Sequence, residues 1–301
     1  MGKDFNLEAE EICGHYVTED VKKLWAVQLD LLDQLRIICQ KHNIKYFAGG
    51  GTLLGVIRHK GFIPWDDDID IHMLPEDYKR FCEIAKKELK EPYFFQHYTT
   101  NPFIGAALSR IRRSDTTAMT QFEYEAAPEG HNCGIFIDIF PMHYIYDNKY
   151  LRKIQKILHT ILRTGIVGYN RNAMYNKVGY FKNRPRFSKM AVLYWKFLNL
   201  FISFETLADL YLKVCSMCKK SNNIGLVSFL GFRKKTMWKS EWWSKTIDMP
   251  FENTTLPVPI CYDKILRKQY GNYNIFKKDG SIHTMKCFDA DTPYKEKLGF
   301  K

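Results

Sequence analysis

The chain has 301 residues, 46% hydrophobic and 26% charged, a composition that supports one large core and excludes a disordered scaffold. Its formal charge of +12 and pI near 9.2 predict a field that attracts anions, without choosing among nucleic acid, an anionic membrane surface and a nucleotide. The opening MGKDFNLEAEEICG lacks the apolar core and cleavage site of a secretory signal, and the eight scattered cysteines form no disulfide framework, so a cytoplasmic protein is expected.

From Glu19 to His42, Val21, Leu24, Val27, Leu31, Leu35 and Ile38 recur at spacings of three and four, which predicts a long helix ended by Asn43. Ile44 to Ala48 reads as a short strand running into Gly49-Gly50-Gly51. Thr52 is the expected cap of a short helix through Ile57 with a stop at Gly61. Pro64 blocks further helix, and the run Asp66 to Ile71 is read as extended at its end. Pro75 to Leu89 returns to helix, with Pro75 suited to the first turn. Phe103 to Ile111 includes a strand. Gly134 to Phe140 is a clearer one, apolar on both faces except for Asp138, a carboxylate that folding alone would not choose.

Beyond about Tyr144, helical patterns dominate as far as Ser221. Ala191 to Phe204 is apolar but interrupted by Lys196, and is read as buried helix in preference to a membrane-surface helix or a span. Cys215, Cys218, His283 and Cys287 formally provide four zinc ligands, yet buried helix cysteines are the favoured reading of the first two. For Trp238, Trp242 and Trp243 a core or membrane-edge role is favoured over cation–π contact with a quaternary ammonium. Asp248 to Pro259 reads as a proline-punctuated loop, and Tyr262 to Tyr270 as a helix before Gly271. There is no internal repeat, and the two halves read as lobes of one unit.

The chemistry concentrates in the first half. On a strand, Asp68 and Asp70 project to one face. Carboxylates held together repel unless a cation lies between them, and a hard divalent ion resolves that repulsion. Asp138, on a neighbouring strand, is the third expected ligand of Mg²⁺ or Mn²⁺, while Asp66 and Asp67 orient the ligands from behind. The run lacks the spaced ligands, turn glycine and terminal Glu of a calcium loop. Gly49, Gly50 and Gly51 let backbone N–H groups approach a phosphate, with the Thr52 hydroxyl as a further donor. Arg58 is favoured for phosphate contact over an internal ion pair with the Asp66–Asp70 acids. His59 is a weaker acid–base candidate. Arg110 and Arg112 share a strand face that binds a diphosphate or, with equal weight, faces solvent.

The run from Phe47 to Asp70, FAGGGTLLGVIRHKGFIPWDDDID, resembles the LicD family of phosphocholine transferases almost residue for residue. The segment Phe136 to Pro141 resembles that family's next block, and Pro259 through Tyr270-Gly271-Asn272-Tyr273 its terminal signature, with Asn272 where the family often has an acid. The resemblance implies an α/β fold, a nucleotidyltransferase-like mixed sheet flanked by helices, with an additional mainly helical lobe. Residues 1–145 would be the catalytic core, and 146–301 the lobe and C-terminal segment that complete the acceptor site. It further implies transfer of phosphocholine or a polyol phosphate from CDP-choline or a CDP-polyol to a glycan or lipid-linked oligosaccharide. The expected partners include an anionic inner membrane touched peripherally, and no nucleic acid. The rival readings are nucleotidyl transfer to a small acceptor and a non-catalytic basic binding protein.

Overall fold

A computed structural model describes residues 5–178, 194, 197, 200–276 and 285–299. A hairpin of β1 (Glu10–Ile12) and β2 (His15–Val17) leads into α1 (Glu19–Lys41). Thr18 caps that helix by accepting from the Val21 amide, and Glu19 and Asp20 occupy its positive first turn. Then come β3 (Phe47–Ala48), α2 (Gly50–His59), β4 (Asp70–Met73), α3 (Pro75–Glu88), β5 (Tyr93–Gln96), β6 (Ser109–Arg113), β7 (Thr117–Thr120), α4 (Gln121–Ala126), β8 (Ile135–Pro141) and β9 (His143–Ile145).

Strands β3-β4-β8-β6-β5 form the central sheet in that order. It is mixed, because β8 runs parallel to β4 and antiparallel to β6. Every residue of β8 is buried, as its apolar character on both faces demands. Leu24, Leu31, Leu35 and Ile38 of α1 join Ile71, Ile137 and Ile139 of the sheet, and Ile69 just before β4, in one core.

The remainder contains α5 (Lys149–Val178), α6 (Phe204–Cys215), β10 (Asn223–Gly225), α7 (Val227–Leu230), β11 (Met237–Lys239), β12 (Thr246–Phe251), β13 (Thr254–Pro259), α8 (Tyr262–Tyr270), β14 (Met285–Asp289) and α9 (Tyr294–Leu298). Phe204, Leu207, Ala208 and Tyr211 of α6 pack with Ile166 of α5 in a second core. The fold is therefore the expected α/β arrangement, a mixed sheet flanked by helices with a mainly helical region added.

Several local expectations change. The segment 248–259 is no loop: β12 and β13 pair as a hairpin from Thr246↔Pro259 to Phe251↔Thr254. A ribbon of two strands has two edges, so its prolines can take positions that require no ladder N–H. Trp238 and Trp243 are fully buried against the central core, and Trp242 is half-buried beside it. Cys215 and Cys218 are buried free thiols; His283 lies outside the described residues, as does half of Ala191 to Phe204, of which the described Tyr194, Phe197, Leu200 and Phe201 are exposed, contrary to the expected buried helix. Among the described residues no helix is long and apolar enough to cross a membrane.

Candidate active site

Side chains at matched positions of three adjacent strands build the centre of the site. Asp70 on β4 pairs in register with Asp138 on β8, and Asp138 pairs with Arg110 on β6. Residues opposite one another across a ladder project to the same face. The sheet thus lays Asp70, Asp138 and Arg110 in one row. Arg110 Nε donates to Asp138 Oδ1 at 2.6 Å, and its NH1 donates to Glu123 Oε1 at 2.9 Å.

Asp68 arrives differently from the expectation. Strand pairing begins only at Asp70, and Asp66, Asp67 and Asp68 lie in the preceding loop. Two buried side chains of α1 shape this loop, Trp25 Nε1 donating to the Asp66 carbonyl at 3.1 Å and Gln28 Nε2 to the Asp67 carbonyl at 2.8 Å. The loop gathers oxygens of Asp66, Asp67 and Asp68 within 4.8 Å of one another. Among the described residues this is the group of three or more metal-ligating side chains that meets so closely.

The glycine triplet turns out to serve the carboxylates directly. Gly49 caps α2, and Gly50 opens the helix with a left-handed φ of +45°. A Cβ on Gly50 would fall far inside van der Waals contact with Asp70 Oδ2, and one on Gly51 would sit 2.6 Å from Asp66 Oδ2. The Gly51 amide hydrogen-bonds the Asp70 carboxylate. Thr52 is not the helix cap; its hydroxyl is buried and accepts from the Asp70 amide at 2.8 Å, tying α2 to the start of β4.

The crowding has an electrostatic consequence. Burial and the neighbouring Asp138 and Asp66 push Asp70 up to about 8, against the Gly51 hydrogen bond. Burial and Asp67 bring Asp66 to about 6. Burial, then Asp70, Asp66 and Asp138, carry Asp68 well above the ordinary carboxylate range. Among the described residues only Arg110 is ion-paired with any of Asp66, Asp68, Asp70 and Asp138, so the described side chains leave the charge of the group far from balanced. Oxygen donors of this kind suit a hard divalent cation.

A cavity of about 500 Å³ opens over three of these carboxylates, Asp66, Asp68 and Asp70, and over Gly50 and Gly51 of α2, while Asp138 does not border it. Arg58, Arg233 and Lys235 bring positive charge to it, and Tyr270 and Tyr273 close it from the C-terminal segment. Arg58 makes no ion pair with the acids; its NH1 donates to the Tyr273 carbonyl at 3.0 Å and its guanidinium lies over Phe276. His59 does not border the cavity. Its Nε2 accepts from Arg58 Nε at 2.9 Å, and burial together with Arg58 lowers its pKa to about 4.

Arg110 and Arg112 share a face as expected, but that face is covered. Arg112 has no exposed surface. It donates to Gln96 Oε1, to the Gly134 carbonyl and to Glu123, whose carboxylate also meets Arg110 and His131. These arginines organise Glu123 and Asp138 from within; Arg112 presents nothing to a diphosphate. Sequence patterning alone does not mark Arg233, Lys235 and Tyr270, which all border the cavity, as site residues. The Arg233-Lys234-Lys235 run and the Tyr270-Gly271 pair were visible, but no local pattern links them to residues nearly two hundred positions earlier.

A mixed sheet that lines up carboxylates beside a glycine-led helix, under a cavity rimmed with cations, defines the nucleotidyltransferase class of domain. The model of the "LicD/FKTN/FKRP, nucleotidyltransferase domain" matches residues 43–160. The lipopolysaccharide cholinephosphotransferase LicD of Haemophilus influenzae is 30% identical over 254 residues, covering 82% of this chain and 88% of that protein. An uncharacterized protein of Rickettsia prowazekii is 32% identical over 124 residues, 40% of this chain and 42% of its own. The chain belongs to the LicD family.

Proposed function

We propose that this protein transfers phosphocholine, or a related alcohol phosphate, from a CDP-linked donor to a sugar hydroxyl of a cell-surface glycan or its lipid-linked precursor, releasing CMP. The observation that carries the reading is the single cavity on which Asp66, Asp68 and Asp70 meet Arg58, Arg233 and Lys235. Carboxylates alone would repel a diphosphate, and cations alone would need no buried acids; together they suit a metal–diphosphate pair. The name of the Haemophilus influenzae relative supports phosphocholine as the transferred group.

Asp68, Asp70 and Asp138 would hold Mg²⁺ or Mn²⁺, which when bound supplies charge neutralisation for the phosphates and lowers the barrier to displacement. The protein's own groups do the rest. Arg58, Arg233 and Lys235 bind and orient the diphosphate. His59 is a positioning residue, since it accepts from Arg58 Nε and fixes that guanidinium. The acceptor hydroxyl attacks the phosphorus that bears the alcohol, the bond from that phosphorus to the CMP oxygen breaks, and CMP departs with the electron pair. The Asp138 oxygen that Arg110 Nε does not take accepts the hydroxyl proton. Residues 1–145 supply the carboxylates and α2, and 146–301 complete the cavity through Phe229, Arg233, Lys235 and Tyr270. We place the enzyme in the cytoplasm, at the inner face of the membrane.

The test is product analysis with CDP-choline, CDP-ribitol and CDP-glycerol, each with Mg²⁺ and a glycan acceptor. CMP and an alcohol-phosphate glycan are expected with one donor, and Asp68→Asn should lower turnover at least about a hundredfold. Pyrophosphate release from a nucleoside triphosphate, with no CMP from any donor, would move the assignment to nucleotidyl transfer.

A further inference from the structure

Helix α5 exposes an apolar face in addition to the face it buries. Gln155, His159 and Ile166 point inward and are buried. On another side Tyr150, Ile154, Ile157 and Ile161, at spacings of four, three and four, form a stripe that is exposed at 67, 50, 48 and 52%. Leu151 and Leu158 widen it at 46 and 38%. Isolated exposed apolar residues are ordinary, but a continuous helical stripe of six is a binding surface.

Charge identifies the occupant. The helix Lys149–Val178 contains no Asp or Glu. At 100° per residue, Lys149, Lys153 and Lys156 fall within one 60° arc on the side of the stripe away from Leu151 and Leu158, while Arg152 lies nearly opposite the stripe. A second copy of this chain would bring the same cations, and a second +12 charge, against the first. An anionic bilayer instead takes the apolar stripe into its headgroup region and leaves the basic flank among the phosphates. From Tyr150 to Ile161 the stripe runs roughly 17 Å at 1.5 Å per residue, too short to cross a bilayer and suited to lying on it.

We propose that α5 is a membrane-surface helix that docks this protein on anionic lipid. The docking face is coupled to the cavity wall. His159 Nε2 bonds the Val227 carbonyl at 2.9 Å and Arg163 NH2 donates to the Phe229 carbonyl at 2.9 Å, and Phe229 borders the cavity. A helix seated on lipid therefore holds one rim of the cavity near the bilayer, where a lipid-linked acceptor would be presented. That last step rests on the proposed transferase reading; the docking itself does not.

The experiment is flotation of the full-length protein with vesicles of phosphatidylcholine alone, or with a third of it replaced by phosphatidylglycerol. Binding to the anionic vesicles, weakened by high salt, is expected. The exposed triple variant Ile154→Gln/Ile157→Gln/Ile161→Gln should bind at least about tenfold more weakly with its thermal unfolding and its CMP release in solution unchanged. Equal binding of wild type and variant, equal binding to both vesicle types, or a wild-type dimer that the triple variant abolishes would each overturn the proposal. If wild type and variant both release no CMP but differ in flotation, the docking stands and the transferase reading falls.

Discussion

Arg110 Nε donates to Asp138 Oδ1 at 2.6 Å from the opposing position of the neighbouring antiparallel strand. Burial works against the arginine's charge, yet Asp138 and Glu123 outweigh it and raise its pKa. Both carboxylates are buried, so the arginine cannot be removed without leaving charge uncompensated inside the sheet. Arg110→Met should cost about 3 kcal/mol or more of stability, read as a lower urea midpoint at unchanged slope, and Arg110→Lys should cost less. Equal midpoints for wild type and Arg110→Met would show that the row of charges does not depend on this pair.

The carboxylate group should trade stability for function. Asp70→Asn removes one of the mutually repelling groups, so the metal-free variant should melt higher than metal-free wild type. Added Mg²⁺ should raise the wild-type melting temperature and shift the variant little. Differential scanning calorimetry with and without Mg²⁺ decides; a variant that melts lower and still responds fully to Mg²⁺ would remove Asp70 from the metal site.

Gly50 and Gly130 separate backbone strain from crowding. Both have positive φ, at +45° and +82°, but an added Cβ at Gly130 meets nothing within 4 Å whereas at Gly50 it runs into Asp70. Each alanine substitution should destabilise by about 1–2 kcal/mol through the backbone alone. Only Gly50→Ala should also abolish activity, by displacing the Asp70 carboxylate. Steady-state rates beside denaturation curves for the two variants make the comparison, and similar rates in both would dismiss the close-approach role.

Acid should destabilise the fold before ordinary carboxylates titrate. Burial, with Lys86 a lesser cause, drives His97 to about 3, and burial with His159 drives His143 to about 3. In the unfolded chain each takes up a proton near 6.5. Between those limits the unfolded state binds more protons, so the stability due to neutral histidine is intact above pH 6.5 and lost as pH falls. Each should cost about 2 kcal/mol by pH 5. Urea unfolding at pH 7 and pH 5 measures this, and His143→Gln should flatten the dependence; an identical slope in that variant would exclude His143.

Much of the site was legible because its determinants are local. Three consecutive glycines and the acids Asp66, Asp67, Asp68, Asp70 and Asp138 cannot be placed by core-building alone, and the alternation of Ile135, Ile137 and Ile139 around Asp138 announces a buried strand. The loop holding Asp68 was not legible, since Trp25 and Gln28 of α1 hold its carbonyls from about forty residues away. The fate of Arg112 was equally hidden. Alternation says which side chains share a face, but Glu123, Gln96 and the Gly134 carbonyl decide that this face is closed.

The order of helices and strands around the acids, and the residue types that bind metal and phosphate, follow from the sequence by itself, because periodicity and side-chain chemistry act over a few residues. Tertiary structure alone decided which acids stand in one row, which arginines face the cavity and which are sealed within, and that residues 229–273 complete its wall. Those outcomes depend on strand register and on contacts between distant segments, and a one-residue slip in the pairing of β4 with β8 would have turned Asp138 away from Asp70.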